Sequence, residues 1–285
     1  MTTHLPPPTT IDAALTACRD LGLPAFEARM LLAYIGGMTR EWIVAHGDAE
    51  LAASIAQRLL ALAQARAAGV PIAQLVGERE FFGRMFRVSS DVLIPRPETE
   101  LLVQFAIDHA PRGARVLDLG TGSGAIAVSI AAERPDLDVT AADISHAALA
   151  IARENAERHA QGRVRCVHAD WTASEEIASQ RYAVIVSNPP YIAAHDEHLD
   201  QGDLRFEPRL ALTDERDGLE CLRAVAAQAP LLLEPRGWLA VEHGYDQALD
   251  VRALFSAQGL TAVASQRDFA DIERITYGQR VPLEP

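Results

Sequence analysis

Cysteine is scarce in this chain of 285 residues, and long apolar runs are missing from it. The three cysteines, Cys18, Cys166 and Cys221, lie far apart and form no C-x-x-C pair, which argues against a disulfide framework or a zinc ribbon. No apolar run reaches the length of about 18 residues that a membrane-spanning helix needs. The opening MTTHLPPPTT lacks the apolar core of a signal peptide, so we expect a cytoplasmic protein without membrane association.

Positive charge is also in short supply. The chain has 26 Lys and Arg residues against 39 Asp and Glu residues, and its formal net charge is −13. Nucleic-acid binding depends largely on cationic side chains that neutralise phosphates, so direct DNA binding is not expected. A basic protein partner would suit this surface better. Hydrophobic residues make up 49% of the chain, which is ample for a packed core.

The first quarter of the chain has a helical pattern. Residues 11–76 place apolar side chains at three- and four-residue spacing, and segments such as FEARMLLAYIGG end in glycine, which predicts a bundle of about four or five helices. Residues 78–95 are richer in aromatic and β-branched side chains and contain turn signals, which indicates a hairpin-like linker. We therefore expect a helical domain over 1–77, a linker over 78–95 and a second domain over 96–285.

Strand and helix patterns alternate from residue 114 onward. ARVLDLG, LDVTAAD, RVRCVHAD, YAVIVSN and GWLAVEHG have strand patterns, and helical segments separate them. This alternation predicts an α/β fold with a largely parallel sheet covered by helices on both faces. The last two strand patterns, LTAVASQRD and ERITYGQRV, are too close for a helical crossover, so they should pair antiparallel.

A glycine-rich segment, DLGTGSG at 118–124, lies between a predicted strand and a predicted helix. Gly120, Gly122 and Gly124 allow positive φ and a close approach of the backbone to a ligand. The competing interpretation is an ordinary tight turn, and the G-x-G-x-G spacing differs from the G-x-G-x-x-G of dinucleotide sites. Asp143 ends the next strand, where it could accept both hydroxyls of a ribose or cap the following helix.

Polar residues also end the next two strands. Asp170 could accept from an adenine amino group and Trp171 could cover the base, although Trp171 could equally be a packing residue. In Asn188-Pro189-Pro190-Tyr191, the Asn side-chain oxygen and the Pro189 carbonyl could accept the two hydrogens of a planar –NH₂ group that stacks on Tyr191. All these residues follow successive strands, and open α/β sheets bind ligands at that edge.

His195-Asp196-Glu197-His198 contains two potential metal ligands. No further ligand cluster follows at metal spacing, so we predict a solvated loop and no metal site. Residues 202–218 are polar and loop-like, and could form part of a lid.

The glycine-rich segment followed by Asp143 resembles the S-adenosylmethionine site of Rossmann-like class I methyltransferases. NPPY resembles the branch that methylates an amino nitrogen in a planar system. This resemblance implies a mostly parallel sheet whose last strand is antiparallel. It implies that the cofactor contacts Gly120, Thr121, Gly122, Ser123, Gly124, Asp143, Asp170, Trp171 and Asn188. It further implies that the substrate contacts Asn188, Pro189, Pro190 and Tyr191, with Asn188, Pro189 and Tyr191 as catalytic residues.

Longer stretches resemble methyltransferases that act on peptide chain release factors. They are GVPIAQLVGEREFFGRMFRVSSDVLIPRPETELLV at 69–103, FEPRLAL and DGLE within 206–220, and GWLAVEHG with Gln247, so the likeness covers almost the whole chain. It implies methylation of the side-chain amide nitrogen (N5) of the Gln in the Gly-Gly-Gln motif of release factors, which modulates translation termination. We hypothesise that the N-terminal bundle and the linker recognise that protein.

Three alternatives remain open on the sequence alone. A sister enzyme that methylates a glutamine of a ribosomal protein shares NPPY, and the intact PRPETE string at 95–100 favours release factors over it. An adenine-N6 DNA methyltransferase would use the same amino-group chemistry but normally needs a basic surface. A nucleotide-binding or NAD-linked regulatory protein could use the glycine-rich loop and Asp143, but NPPY would then have no role. The segment DFADIER departs from the pattern of the resembled family, because it lacks a glycine that the family often has there.

Overall fold

The computed structural model describes residues 7–281, and the chain divides into two compact units, residues 1–77 and residues 78–285. The described part of the first unit is helical, as predicted, with five helices. They are α1 (Ile11–Asp20), α2 (Ala25–Gly36), α3 (Arg40–Ala45), α4 (Ala53–Ala67) and α5 (Ile72–Val76). No helix in residues 7–281 is long and apolar enough to cross a membrane.

Local chemistry sets the ends of these helices. The Thr10 hydroxyl accepts a hydrogen bond from a backbone N–H at the start of α1, and Thr39 does the same for α3. Gly37 ends α2 in the left-handed conformation that glycine adopts readily. The apolar faces of the helices meet in one core that includes Leu31 and Leu59.

A β-hairpin opens the second unit. Strands β1 (Glu78–Phe81) and β2 (Arg84–Arg87) pair antiparallel. Phe81 and Phe86 are buried, and their rings meet edge to face with centroids 5.9 Å apart. Both belong to a core cluster of the second unit, so the hairpin packs as part of that unit.

A seven-stranded sheet forms the centre of the second unit, in the order β5-β4-β3-β6-β7-β9-β8. Its strands are β3 (Arg115–Leu119), β4 (Asp138–Asp143), β5 (Val164–His168), β6 (Tyr182–Ser187), β7 (Leu233–Glu242), β8 (Leu260–Arg267) and β9 (Glu273–Arg280). The first five are parallel, whereas β9 pairs antiparallel with both β7 and β8. The predicted α/β fold and the antiparallel pairing of the last two strands are therefore confirmed.

Helices cover both faces of the sheet. They are α6 (Glu100–His109), α7 (Ala125–Glu133), α8 (His146–Ala160), α9 (Glu175–Ala178), α10 (Glu220–Leu232) and α11 (Ala248–Ala257). Successive strand residues point to opposite faces. Accordingly, Val116 and Val184 belong to one apolar cluster, and Leu117 and Ile185 belong to the other.

The order of the strands creates a crevice at one edge of the sheet. The chain runs outward from β3 through β4 to β5 and then returns to place β6 on the other side of β3. Helices leave in opposite directions at such a switch point, and the crevice between them is where doubly wound sheets bind ligands. The glycine-rich loop follows β3, and Asn188 follows β6, so both lie at this crevice.

The turn between β8 and β9 explains a departure from the resembled family. Asp271 has a φ of 62° there, a conformation that most side chains avoid. Glycine adopts it freely and aspartate tolerates it better than most residues. The DFADIER segment therefore keeps its turn without a glycine.

Candidate active site

A cavity of about 480 Å³ opens at the carboxyl ends of β3, β4 and β6. This volume is within the range of small-molecule sites. The structure brings most of the predicted site residues together in its wall: Gly120, Thr121, Gly122, Ser123, Asp143, Asp170, Trp171, Asn188 and Pro190. Gly124, Pro189 and Tyr191 are not among the lining residues, and their predicted contacts with ligands stay predictions.

The glycine-rich loop is fixed by its own backbone and by tight packing. Its three glycines all have positive φ, between 55° and 80°. The N–H groups of Gly120 and Thr121 both donate to the Ala142 carbonyl at 2.9 Å. A Cβ at Gly124 would lie 3.1 Å from Ala152 on α8, so this glycine allows α7 and α8 to pack closely. Gly122 has open space around it and faces the cavity.

Asp118 lies beneath the loop and is completely buried. One of its carboxylate oxygens accepts from the Thr121 hydroxyl at 2.6 Å and from the Ala127 N–H at 3.2 Å. The other oxygen has no hydrogen-bond partner in the part of the chain that the structure describes. Burial raises the pKa of this carboxyl to about 7, against the effect of the two donors.

Asp143 lines the cavity at the end of β4. Its two carboxylate oxygens accept from the backbone N–H groups of Gly122 and Ser145, each at 2.8 Å. The N-cap of α8 is Ser145, whose hydroxyl accepts from the Ala148 N–H, so the alternative role of Asp143 as the cap is filled by another residue. Burial raises the pKa of Asp143, and the N–H donors oppose this shift.

Asp170 and Trp171 form the wall beyond β5. Asp170 is exposed, and Trp171 is half-buried with a φ of 50°. The Trp171 ring packs against an apolar core cluster, and it also lies close to Gly120, where an added Cβ would be 3.7 Å from the ring. Trp171 is therefore both a packing residue and part of the cavity wall.

The NPPY segment connects the cavity to a buried polar layer. The side-chain NH₂ of Asn188 donates to the Thr99 hydroxyl oxygen at 3.1 Å. The Tyr191 hydroxyl donates to a carboxylate oxygen of Glu242, the last residue of β7, at 3.0 Å. The second oxygen of Glu242 has no partner among residues 7–281, and burial raises the pKa of this carboxyl to about 7. Burial also raises the pKa of Tyr191 well above its ordinary value, and the neighbouring Glu242 adds to the shift.

Part of the loop predicted as a lid forms another wall of the cavity. Pro208, Leu210, Ala211 and residues 213–215 all line it. The buried Glu207 anchors this wall, because its carboxylate accepts from the Ile94 N–H at 2.8 Å and forms an ion pair with Arg96. Burial raises the pKa of Glu207, and the positive charge of Arg96 opposes the shift.

Gln247 ties the NPPY segment to the same loop. Its side-chain NH₂ donates to the Tyr191 carbonyl at 2.9 Å and to the Gly218 carbonyl at 3.2 Å. Its side-chain oxygen accepts from the Gly244 N–H at 2.8 Å. A Cβ at Gly218 would approach the Tyr191 carbonyl to 2.6 Å, so only glycine fits there without a shift of the backbone.

The HDEH stretch lies outside this constellation. Its Asp196 carboxylate accepts from the His198 N–H at 2.9 Å and caps a short 3₁₀ helix, Glu197–Asp200. The ring of His198 also hydrogen-bonds to Asp196, and both side chains are exposed. The local turn thus accounts for these residues.

Sequence reasoning assigned no role to Thr99, Glu207 or Glu242. Each lies in a string that carried the family resemblance: IPRPETE, FEPRLAL and GWLAVEHG. For Glu207 and Glu242 the available signal was a charged residue directly after an apolar one, which predicts a buried polar contact but not its partner, whereas Thr99 lies between two glutamates and had no such signal.

Comparison with known proteins gives a consistent result. A family model described as Methyltransferase small domain matches residues 97–204, and one described as PrmC N-terminal domain matches residues 11–77. A Burkholderia pseudomallei protein named release factor glutamine methyltransferase is 52% identical over 98% of this chain and 99% of that protein. A Neisseria gonorrhoeae protein of the same name is 48% identical over 90% of this chain and 94% of that protein.

A solved structure shares the fold. A methyltransferase from Pyrococcus furiosus aligns with a TM-score of 0.54 and 19% sequence identity, over 70% of this chain and 91% of that chain. At this identity the likeness concerns the fold of the sheet and its helices.

Proposed function

Since the chain belongs to the family of release factor glutamine methyltransferases, we propose that it transfers a methyl group from S-adenosylmethionine to the side-chain amide nitrogen of the glutamine in the Gly-Gly-Gln motif of a release factor. The observation that carries this proposal is Asn188, an amide in the wall of a cavity that also contains the glycine-rich loop. Release factors act in translation, so we propose a cytoplasmic location for the enzyme.

The cavity has donors and acceptors that suit S-adenosylmethionine. The Asp143 carboxylate, held by two N–H donors, can accept from ribose hydroxyls. Trp171 provides an aromatic face and Asp170 an acceptor for the adenine end. Gly120 to Gly124 let the backbone approach the amino-acid part of the cofactor. When bound, the cofactor supplies an electrophilic methyl group on a sulfonium.

The protein has to orient a weak nucleophile. The lone pair of an amide nitrogen is delocalised into its carbonyl, so reactivity depends on how the group is held. The Asn188 oxygen and the Pro189 carbonyl would accept the two hydrogens of the glutamine NH₂ and direct its lone pair towards the methyl group. Holding reactants in a near-attack geometry can account for much of an enzymatic rate enhancement.

No strong general base is required in this scheme. The nitrogen becomes highly acidic once it is methylated, and it can release a proton to water. Tyr191 has a pKa raised well above its ordinary value by burial, so it stays protonated and holds its hydrogen bond to Glu242. NPPY then positions the substrate and takes no proton.

One labelling experiment tests the function. The protein is incubated with methyl-labelled S-adenosylmethionine and a release factor, and mass spectrometry locates the label. We expect one methyl group on the glutamine of Gly-Gly-Gln and none when that glutamine is replaced. Labelling of DNA, or of a ribosomal protein in preference to the release factor, would contradict the proposal.

We further propose that the first unit contributes to recognition of the protein substrate. Its helices expose several large apolar side chains, Phe26, Tyr34, Trp42 and Val44. Deletion of residues 1–77 should lower kcat/KM for the intact release factor while leaving methylation of a short Gly-Gly-Gln peptide nearly unchanged. An unchanged kcat/KM for the intact protein would refute this role.

A further inference from the structure

Thr99 lines the cavity and Glu242 accepts from Tyr191, but neither side chain holds the cofactor or the substrate in the scheme above. Thr99 ends the 3₁₀ turn Pro97–Thr99 within the IPRPETE string and is 4% exposed. Glu242 ends β7 and is 1% exposed, with one carboxylate oxygen lacking a hydrogen-bond partner in the described chain. Burial of an incompletely paired carboxyl costs stability. A contribution to folding therefore does not explain why a carboxyl stands here.

The hydrogen bonds at these residues run in one direction. Asn188 donates its side-chain NH₂ to the Thr99 oxygen. A hydroxyl has a single hydrogen, and by accepting from Asn188 the Thr99 group keeps that hydrogen free to donate elsewhere. On the other side of the NPPY segment, the Tyr191 hydroxyl donates to Glu242.

This direction decides which end of the Asn188 amide is available to a substrate. The oxygen and the NH₂ of an amide have nearly the same shape, so their hydrogen-bond partners determine the orientation. With its NH₂ on Thr99, Asn188 keeps its oxygen free of hydrogen bonds to residues 7–281. An oxygen is the end that can accept from the NH₂ of a glutamine, whereas the opposite orientation would place two donors face to face.

We propose that Thr99 is a positioning residue that turns the Asn188 amide with its oxygen towards the substrate. This inference rests on the glutamine-methylating function proposed above. It gives a physical role to a residue of the IPRPETE string, which lies 89 residues before Asn188 in the chain.

Two substitutions at the same position test the inference. Thr99→Val keeps the shape of the side chain but can neither accept nor donate a hydrogen bond, whereas Thr99→Ser keeps the hydroxyl. We expect Thr99→Val to lower kcat on the order of 30-fold, the effect of one misplaced hydrogen bond, and to leave the Kd for S-adenosylmethionine and the Tm nearly unchanged. Thr99→Ser should restore kcat to within about threefold of the original protein. Thr261→Val, on the outer strand β8, is the matched control.

A double-mutant comparison separates orientation from packing. Asn188→Asp has two equivalent acceptor oxygens and needs no orientation, so adding Thr99→Val to it should change single-turnover rates by less than about fivefold. Equal loss from Thr99→Val in both backgrounds, or equal loss from Thr99→Val and Thr99→Ser, would overturn the inference. The Ser comparison is decisive even where the Asp variant is too slow to measure.

Failure of the proposed function gives a different result. If Asn188→Ala retained near-normal turnover, the amide would not be the group that holds the substrate, whatever the Thr99 variants did. If Asn188→Ala is inactive and Thr99→Val is fully active, only the positioning role of Thr99 is refuted.

Discussion

Replacing Glu242 by glutamine should change how the stability of the second unit depends on pH. Glutamine keeps the shape of the side chain and can still accept from Tyr191, but it carries no charge. Burial raises the pKa of Glu242 from 4.5 to about 7. In the window between these two values, the folded state binds more protons than the unfolded chain, so stability falls as the pH rises.

The size of this effect follows from the same two pKa values. A tenfold change in proton affinity corresponds to about 1.4 kcal/mol, so ionisation of Glu242 should cost on the order of 3 kcal/mol once the pH is above both values. Glu242→Gln has no such cost, because its side chain does not ionise. Its free energy of unfolding, relative to the original protein, should therefore rise by that amount between about pH 4.5 and pH 8.

Urea unfolding across this pH range measures the difference. Trp42→Phe in both proteins removes the tryptophan of the first unit, so that fluorescence of Trp171 and Trp238 reports on the second unit. Asp217→Asn is a control whose pKa shift has the opposite sign, because Arg223 lowers the pKa of that exposed carboxylate to about 2. Any change that this substitution makes in the pH dependence of stability should therefore be confined to acid pH. If the stability of Glu242→Gln and that of the original protein changed with pH in parallel, the raised pKa of Glu242 in the folded state would be refuted.

Three glycines give further predictions. Gly124→Ala should destabilise the second unit by about 2–4 kcal/mol in urea unfolding, because the new Cβ would crowd Ala152 and φ is positive. Gly122 has open space around it, so Gly122→Ala should destabilise the unit by only about 1–2 kcal/mol. Equal losses from the two substitutions would contradict the packing role of Gly124. Gly218→Ala should lower kcat about tenfold or more, because its Cβ would displace the Tyr191 carbonyl and with it NPPY; unchanged turnover would show that the 218 loop does not hold that segment.

The architecture of the sheet was predictable because it depends on local patterns. Apolar runs such as YAVIV and RVLDL are buried along their whole length or nearly so, and their short length, β-branched residues and flanking turn signals distinguish them from the intervening helices. Parallel strands place their carboxyl ends at one edge, so the sequence also predicted that Gly120, Asp143, Asp170 and Asn188 meet. The cavity contains all four.

The contacts that hold these residues were not predictable in the same way. Glu207 binds Arg96 across 111 residues, and Asn188 binds Thr99 across 89. A periodic pattern specifies which face of an element is buried, but it carries no information about which distant polar side chain lies opposite. Tyr191 illustrates the limit: the sequence offered an aromatic ring next to Asn188, but not the buried carboxylate of Glu242 that accepts from its hydroxyl.

These long-range contacts change what the IPRPETE string means physically. NPPY alone offers an amide to any planar amino group, whether in adenine or in glutamine. In this structure the Ile94 N–H and the Arg96 guanidinium both bind the carboxylate of Glu207, which anchors one wall of the cavity. The Thr99 hydroxyl accepts from the Asn188 amide. The string therefore contacts both the loop that forms one wall of the cavity and the side chain of Asn188.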